Sequence, residues 1–199
     1  MKKSYVVLLG VFLAGCQTTT NYPSSQDASP PPASQPSQPH KSHPPMPPVQ
    51  SAGPLTTAGV EVYMDAQEAD LRSYLRGQSV PVARRGNSLA MTVSTDRLFD
   101  KAGISSWGDA FARALYPVLG HYDHTAIEIT CYTDASGSAE QNLAVSQKRA
   151  KMLADALHGY GIASSRLTSE GLGATNSRST NPNDAKNRRI EIKITPQPK

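Results

Sequence analysis

The spacing of apolar residues predicts an α/β fold in which a mixed sheet packs against helices. Apolar and polar residues alternate at 89–93, 127–131 and 190–194, which is typical of strands with one covered face. Between these strands, apolar residues recur at helical spacing over residues 107–119 and 138–160. With a further short strand before the last one, the order β-α-β-α-β-β predicts one sandwich of about 115 residues around a single core.

The first half of this sandwich is a strand followed by a helix. The turn residues Gly86 and Asn87 open the strand, and a loop over residues 98–103 leads to the helix. The short strand of the second half is predicted at 167–172. The inward residues of the first helix are predicted to be Phe111, Leu115, Val118 and Leu119.

The central strand runs through a tight loop into the longest predicted helix. Ile127, Ile129 and Cys131 share its covered face. Cys131 is therefore expected to be a small buried residue, with a redox role or an intermolecular disulfide as the alternative. Turn-forming residues 134–137 end the strand, and Gly161 ends the helix.

The last strand is preceded by two arginines. Arg188 shares the parity of Ile190, Ile192 and Ile194, which are predicted to face the core. A guanidinium placed inward needs an acceptor. We predict that Arg188 forms a structural salt bridge at the start of the strand rather than a contact with a ligand.

The start of the long helix carries polar residues where the buried stripe should be apolar. Asn142, Ser146 and Arg149 occupy that face. Long helical side chains point towards the N-terminus, so Arg149 is expected to face the loop that holds Asp134. The two opposite charges suit the ammonium and carboxylate of a free amino-acid head. The alternative is that Asp134 and Arg149 pair with each other.

Three ordered motifs resemble the OmpA-like peptidoglycan-binding domain family, which includes the peptidoglycan-associated lipoprotein. They are Thr133-Asp134-x-x-Gly137, Asn142-x-x-Val145-Ser146-x-x-Arg149-Ala150 and Asn187-Arg188-Arg189-Ile190-Glu191-Ile192. The resemblance covers roughly residues 85–195, and the segment at 63–69 also looks like the one preceding this domain in YiaD-type lipoproteins.

The resemblance implies an OmpA-like sandwich and a specific ligand. Asp134 and Arg149, with Asn142 and Thr133 beside them, would hold the diaminopimelate of the peptidoglycan stem peptide. The chain would bind peptidoglycan noncovalently and would be neither an enzyme nor dependent on a cofactor.

The chain departs from the family pattern at three places. Cys131-Tyr132 stands where the family has a glycine before Thr-Asp. The loop over 173–187 is shorter, with Ser177 for the usual proline, and Asp184-Ala185-Lys186 replaces the usual Gly-Arg. We expect these changes to alter the rim of the pocket and the affinity for the wall more than the fold.

Residues 1–15 are predicted to be a lipoprotein signal peptide. Two lysines precede an apolar run that is far shorter than the roughly 20 residues of a spanning helix. Leu13-Ala-Gly-Cys16 resembles the bacterial lipobox, so Cys16 is predicted to be lipidated. By resemblance to lipoproteins, Gln17 favours sorting to the outer membrane, with the domain facing the periplasm.

Residues 16–58 are predicted to be a disordered linker rich in Pro, Ser and Gln. Eleven of the sixteen prolines lie between Thr18 and Pro54, with no apolar periodicity that could build a core. Such a linker spans about 35 Å as a coil and up to about 120 Å as polyproline. His40 and His43 are assigned to this linker rather than to a metal site.

Residues 59–80 are predicted to form a short helix, and residues 81–199 the OmpA-like domain. Glu68 and Arg72 form an i, i+4 pair on the helix, and Gly77 is its expected end. Its apolar stripe of Tyr63, Leu71, Tyr74 and Leu75 would either dock on the domain or pair with a second copy.

Charge and residue spacing exclude several classes of function. The net charge of +4 falls to +2 without Lys2 and Lys3, which gives no case for nucleic-acid binding. No nucleophile has a histidine or carboxylate partner at a catalytic spacing, and His121 and His124 are too few for a metal site.

Two functions therefore remain. The first is an outer-membrane lipoprotein that binds peptidoglycan and tethers the envelope. The second is an OmpA-like assembly or regulatory protein that docks an envelope machine or a periplasmic partner.

Overall fold

The computed structural model describes residues 52–198. The predicted signal peptide, Cys16 and most of the linker, with His40 and His43, lie outside the described residues. The helices are α1 (Val60–Tyr74), α2 (Thr95–Leu98), α3 (Ser106–His121) and α4 (Ala139–Tyr160). The strands are β1 (Val82–Arg85), β2 (Ser88–Ser94), β3 (Phe99–Asp100), β4 (Gly103–Ile104), β5 (Thr125–Tyr132), β6 (Leu167–Gly171) and β7 (Arg189–Pro196).

A five-stranded mixed sheet, with the order β1-β2-β7-β5-β6, confirms the predicted fold class. Strand β7 is antiparallel to both β2 and β5, whereas β5 and β6 are parallel and are joined by α4. The sequence did not predict β1, α2 or the two-residue hairpin of β3 and β4. These elements are too short to show the apolar periodicity of a helix or strand, and β1 is also rich in arginine.

The core lies between one face of the sheet and helices α1, α3 and α4. The predicted strand faces are confirmed, because every second residue of the three long strands is buried. On the other face, which is polar, Lys193 lies 3.0 Å from Glu128. The buried strand residues are Leu89, Met91, Val93, Ile127, Ile129, Cys131, Ile190, Ile192 and Ile194.

Helix α1 docks on the same core, which resolves the alternatives for its apolar stripe. Leu71 and Leu75 are buried in the core cluster, whereas Tyr74 is exposed. The Tyr63 ring meets the Tyr122 ring edge-on, with their centroids 5.1 Å apart. The predicted pair of Glu68 and Arg72 is confirmed at 2.6 Å. The boundary at residue 81 stays a prediction.

Cys131 is a fully buried free thiol, as expected for a small core residue. Burial raises the pKa of this thiol to about 12, although the positive charges of Arg149 and Arg189 partly oppose that shift. The thiol is therefore protonated and shielded from oxidants. No helix within residues 52–198 is long and apolar enough to cross a bilayer.

Helix α4 approaches the end of β6 closely at Gly171. A Cβ atom placed on Gly171 would overlap the backbone nitrogen of Gln147. This contact sets the height of the helix above the sheet, and a side chain at 171 requires the two backbones to separate.

We expect Gly171→Ala to destabilise the domain by about 3 kcal/mol, because overpacking against a backbone cannot be relieved by a rotamer change. Urea unfolding measures this loss. Gly159→Ala on α4 is the matched control, since nothing lies within 4 Å of its Cβ position. The control should gain up to about 1 kcal/mol. Equal stability of the two variants would contradict the close approach.

Candidate functional site

Several chain segments meet at one edge of the sheet. Strands β5 and β6 end there because they are parallel, and the antiparallel β7 begins there. Strand β2 also ends there, with Ser94 opposite Arg189. The topology therefore brings together the loop with Asp134, the residues before β7 and the start of α2. The first turns of α4 lie beside them.

Asp134 is a nearly buried carboxylate on the loop after β5, with 8% of its surface exposed. Its Oδ1 accepts a hydrogen bond from the backbone N–H of Ser136 at 3.2 Å, and its Oδ2 accepts one from Arg188 Nη1 at 2.7 Å. Burial raises the pKa of Asp134, but the bonds from Arg188 and Ser136 together outweigh it and hold the pKa below its usual range. The group is therefore ionised at neutral pH.

Arg188 bridges two carboxylates from distant parts of the sequence. Besides Asp134, its Nε donates to Asp96 Oδ1 at 3.0 Å, and its Nη2 donates to Asp96 Oδ2 at 2.6 Å. These bonds lower the pKa of Asp96 and raise that of Arg188. The predicted structural salt bridge at the start of β7 is confirmed. Asp96 was not predicted, because only the strand order places it here.

The inward parity predicted for Arg188 is wrong, because this residue precedes the strand and its side chain is only half-buried. Arg189, in the strand, is the buried arginine, with 2% of its surface exposed. Its guanidinium lies 4.0 Å from the centre of the Tyr132 ring and donates to Glu191 at 2.7 Å. It also donates to the carbonyl of Asn176 at 3.0 Å, which fixes the loop before β7.

Arg149 lies over the Phe99 ring, with 5.8 Å between its Cζ and the ring centre. The described residues, 52–198, offer its guanidinium no hydrogen bond or ion pair. Its charge helps to lower the pKa of Asp96, after the stronger effect of Arg188. The alternative in which Asp134 simply pairs with Arg149 is therefore wrong, because Asp134 forms its ion pair with Arg188 instead.

The three polar neighbours of this charged cluster differ in role. Ser146 is structural, because its hydroxyl accepts from the N–H of Gly173 and donates to the carbonyl of Leu143, both at 2.9 Å. Asn142 is nearly buried, and its side-chain amide has no hydrogen-bond partner in the part of the chain that is described. The Thr133 hydroxyl is buried and also lacks a partner there.

The loop between β6 and β7 forms the rim of this site. Asn187 is buried within it and accepts from the N–H of Arg178 at 2.8 Å. Asp184, at the departure from the family pattern, accepts from the N–H of Lys186 at 2.8 Å and caps a short 3-10 turn. The N–H of Ala135 donates to the carbonyl of Pro182 at 3.0 Å, which ties the rim to the Asp134 loop.

One concave region lies away from this cluster, and another borders it at Arg188. The larger, about 550 Å³, is at the opposite edge of the sheet, where Arg166 donates to the carbonyls of Leu119, Tyr122 and Thr125. A groove of about 370 Å³ adjoins Arg188 on the polar face. Neither is lined by Asp134 or Arg149. Within residues 52–198, no group of three or more His, Cys, Asp or Glu could hold a metal ion.

Comparison with known proteins places this fold in a family, since residues 109–191 match the OmpA family. The chain carries an OmpA family domain. It is 38% identical over 143 residues to the Escherichia coli (strain K12) protein named probable lipoprotein YiaD, covering 69% of this chain and 65% of YiaD. It is 41% identical over 71 residues to the peptidoglycan-binding protein ArfA of Mycobacterium tuberculosis (strain ATCC 25618 / H37Rv), covering 34% of this chain and 22% of ArfA.

The chain thus spans less than two thirds of the length of these relatives. A MotB-like protein from Desulfovibrio vulgaris has the same fold as the OmpA family domain, with a TM-score of 0.59 at 22% identity over 70% of this chain and 97% of that one. The prediction of the family is confirmed. The prediction that the chain is not an enzyme stays a prediction.

The carboxylates bound by Arg188 should make the stability of the domain depend on acid pH. The pKa of Asp134 and that of Asp96 are lower in the folded than in the unfolded chain. Their contribution is therefore complete above the unfolded value of about 4 and is lost as the pH falls through the lower folded values. Thermal melts of wild type and of Asp96→Asn/Asp134→Asn across this range should show a smaller acid loss in the variant.

The matched control for this experiment is Asp155→Asn. Asp155 pairs with Lys151 at 2.7 Å on the solvent side of α4, and both side chains are exposed. The control should keep the acid dependence of the wild type. An acid loss in Asp96→Asn/Asp134→Asn as large as that of the wild type would contradict the depressed pKa values.

Proposed function

We propose that the chain is an outer-membrane lipoprotein that binds peptidoglycan noncovalently through the diaminopimelate of the stem peptide. The observation that carries this proposal is Arg149, a guanidinium on the inner side of α4 without a hydrogen-bonding partner among residues 52–198. Arg149 is half-buried, and its guanidinium is open to an anion from outside the chain. An external carboxylate, bound by the planar fork of the guanidinium, would satisfy it.

The other charge of the site complements the rest of that ligand. The side-chain head of diaminopimelate carries an ammonium beside its carboxylate. Asp134 is ionised, and Arg188 binds its Oδ2, whereas its Oδ1 accepts a backbone bond of 3.2 Å from Ser136, whose side chain also bonds this carboxylate. That oxygen is available to an ammonium, while the amide of Asn142 lies near the start of α4 as a further polar partner.

The names of two relatives support the two halves of the proposal. ArfA is named a peptidoglycan-binding protein, and YiaD is named a probable lipoprotein. In this chain the lipid would sit on Cys16, where each acyl CH₂ buried in the membrane contributes about 0.8 kcal/mol. The Pro-rich linker would let the domain reach the wall from the outer membrane, and the protein would thereby tether the envelope.

Titration with muropeptides tests the ligand. Asp134→Asn removes the counter-charge of the ammonium and should weaken binding of a diaminopimelate muropeptide about 10- to 150-fold, the value of one charged hydrogen bond. Arg149→Lys should also weaken it, because an ammonium cannot hold a carboxylate through a planar fork. Each variant is compared at a temperature where it is folded, and Asp155→Asn serves as the control with unchanged affinity.

The wild type should also distinguish diaminopimelate from lysine in the stem peptide. Lysine at that position lacks the second carboxylate and leaves Arg149 unsatisfied. Equal binding of both muropeptides by the wild type, or unchanged affinity in Asp134→Asn, would contradict the proposed site.

Anchoring is tested separately by Cys16→Ser, which removes the thiol that would be acylated. We expect this variant to leave the outer-membrane fraction, because a folded domain without acyl chains has no stable attachment to a bilayer. Fractionation is done after the wall has been digested, so that binding to peptidoglycan does not mask the result. A variant that still sediments with outer membrane would refute the lipid anchor.

A further inference from the structure

Two carboxylates at the site share a single guanidinium. Arg188 donates to Asp134 at 2.7 Å and to both oxygens of Asp96, at 3.0 and 2.6 Å. Two negative charges against one positive charge leave an excess of one negative charge on the pair. Arg149 supplies one positive charge nearby that has no ion-pair partner among residues 52–198. The site is therefore neutral as a whole but divided into an acidic and a basic part.

Backbone contacts hold Asp96 in this position. The N–H of Thr95 donates to the carbonyl of Arg188 at 3.0 Å, and Ser94 is paired with Arg189 in the sheet. The Ser94 hydroxyl accepts from the N–H of Asp96 at 3.2 Å and caps α2. Asp96 and Arg188 are thus fixed to each other by the sheet itself, and their ion pair does not depend on a flexible surface loop.

We propose that Asp96 is a positioning residue of the site, because it occupies the Nε and Nη2 donors of Arg188, so that Arg188 holds only one oxygen of Asp134 and the other oxygen stays open to a ligand ammonium. This inference rests on the function proposed above. Without Asp96, the Nε and Nη2 donors of Arg188 would be free to turn to Asp134. The Asp134 carboxylate would then be neutralised and held at both oxygens.

The same arrangement keeps Arg149 open. The Arg149 charge acts on Asp96, so these two groups are close enough to attract each other. Both oxygens of Asp96 are nevertheless engaged by Arg188. Asp96 therefore does not close the basic part of the site, and one ion pair preserves both halves of the site for a zwitterion.

The test is the affinity of Asp96→Asn for two muropeptides. For the diaminopimelate muropeptide, we expect a loss of affinity on the order of twofold to fivefold, since one neighbouring charge is removed without a direct contact. For the same muropeptide with its diaminopimelate ammonium acetylated, wild type and Asp96→Asn should bind equally. A variant that merely damages the fold would lose both ligands alike. Asp155→Asn, which also removes one ion-paired carboxylate, should bind both ligands as the wild type does.

A double-mutant cycle isolates the route through Arg188. In an Arg188→Gln background there is no guanidinium to share, so a further Asp96→Asn change should cause no additional loss of affinity. An undiminished loss in that background would overturn the proposal.

The outcomes separate this inference from the function on which it rests. If the wild type discriminates diaminopimelate from lysine but Asp96→Asn binds as tightly as the wild type, the positioning role fails and the binding function stands. If Asp96→Asn loses affinity equally for the free and the acetylated muropeptide, the positioning role fails in the same way. If the wild type itself does not discriminate, the proposed function fails and this inference fails with it.

Discussion

The ion pairs of Arg188 are the interaction around which the site is built. They join the residue before the last strand to the loop after the central strand and to the start of α2. These segments belong to different parts of the chain, and the sheet gathers them at one edge. A guanidinium in the middle can satisfy two carboxylates because its donors point in different directions. It thereby excludes the simplest competing arrangement, in which Asp134 would pair with Arg149.

The parts of the fold set by local patterns could be predicted from the sequence. The covered faces of β2, β5 and β7 follow from alternation, since a strand side chain is either on the core side or not. The C-terminal end of α4 follows from Gly161, which caps it as expected, and its start at Ser138 agrees with the residue where helical spacing begins. The side of α4 on which Arg149 lies could likewise be predicted, because helical periodicity depends only on the spacing of residues within the helix.

The partners of the site residues could not be predicted, because they depend on which strands are neighbours. Asp96 lies next to Arg188 only because β2 and β7 pair with a register that sets Ser94 opposite Arg189. Periodicity also failed at Arg188 itself, since alternation holds within a strand and this residue precedes it. The burial of Arg189 needs the Tyr132 ring and the loop before β7, neither of which a one-strand pattern contains.

The position of Ala52 has a mechanical consequence. Its N–H donates to the carbonyl of His121, at the end of α3 and close to the start of β5, whereas the candidate site lies beyond the other end of β5. Eight residues of strand separate the two ends by about 26 Å. Under the proposed function, a pull between membrane and wall would run along β5. Hydrogen bonds to its neighbours lie across that direction, so they would be sheared together rather than opened one after another.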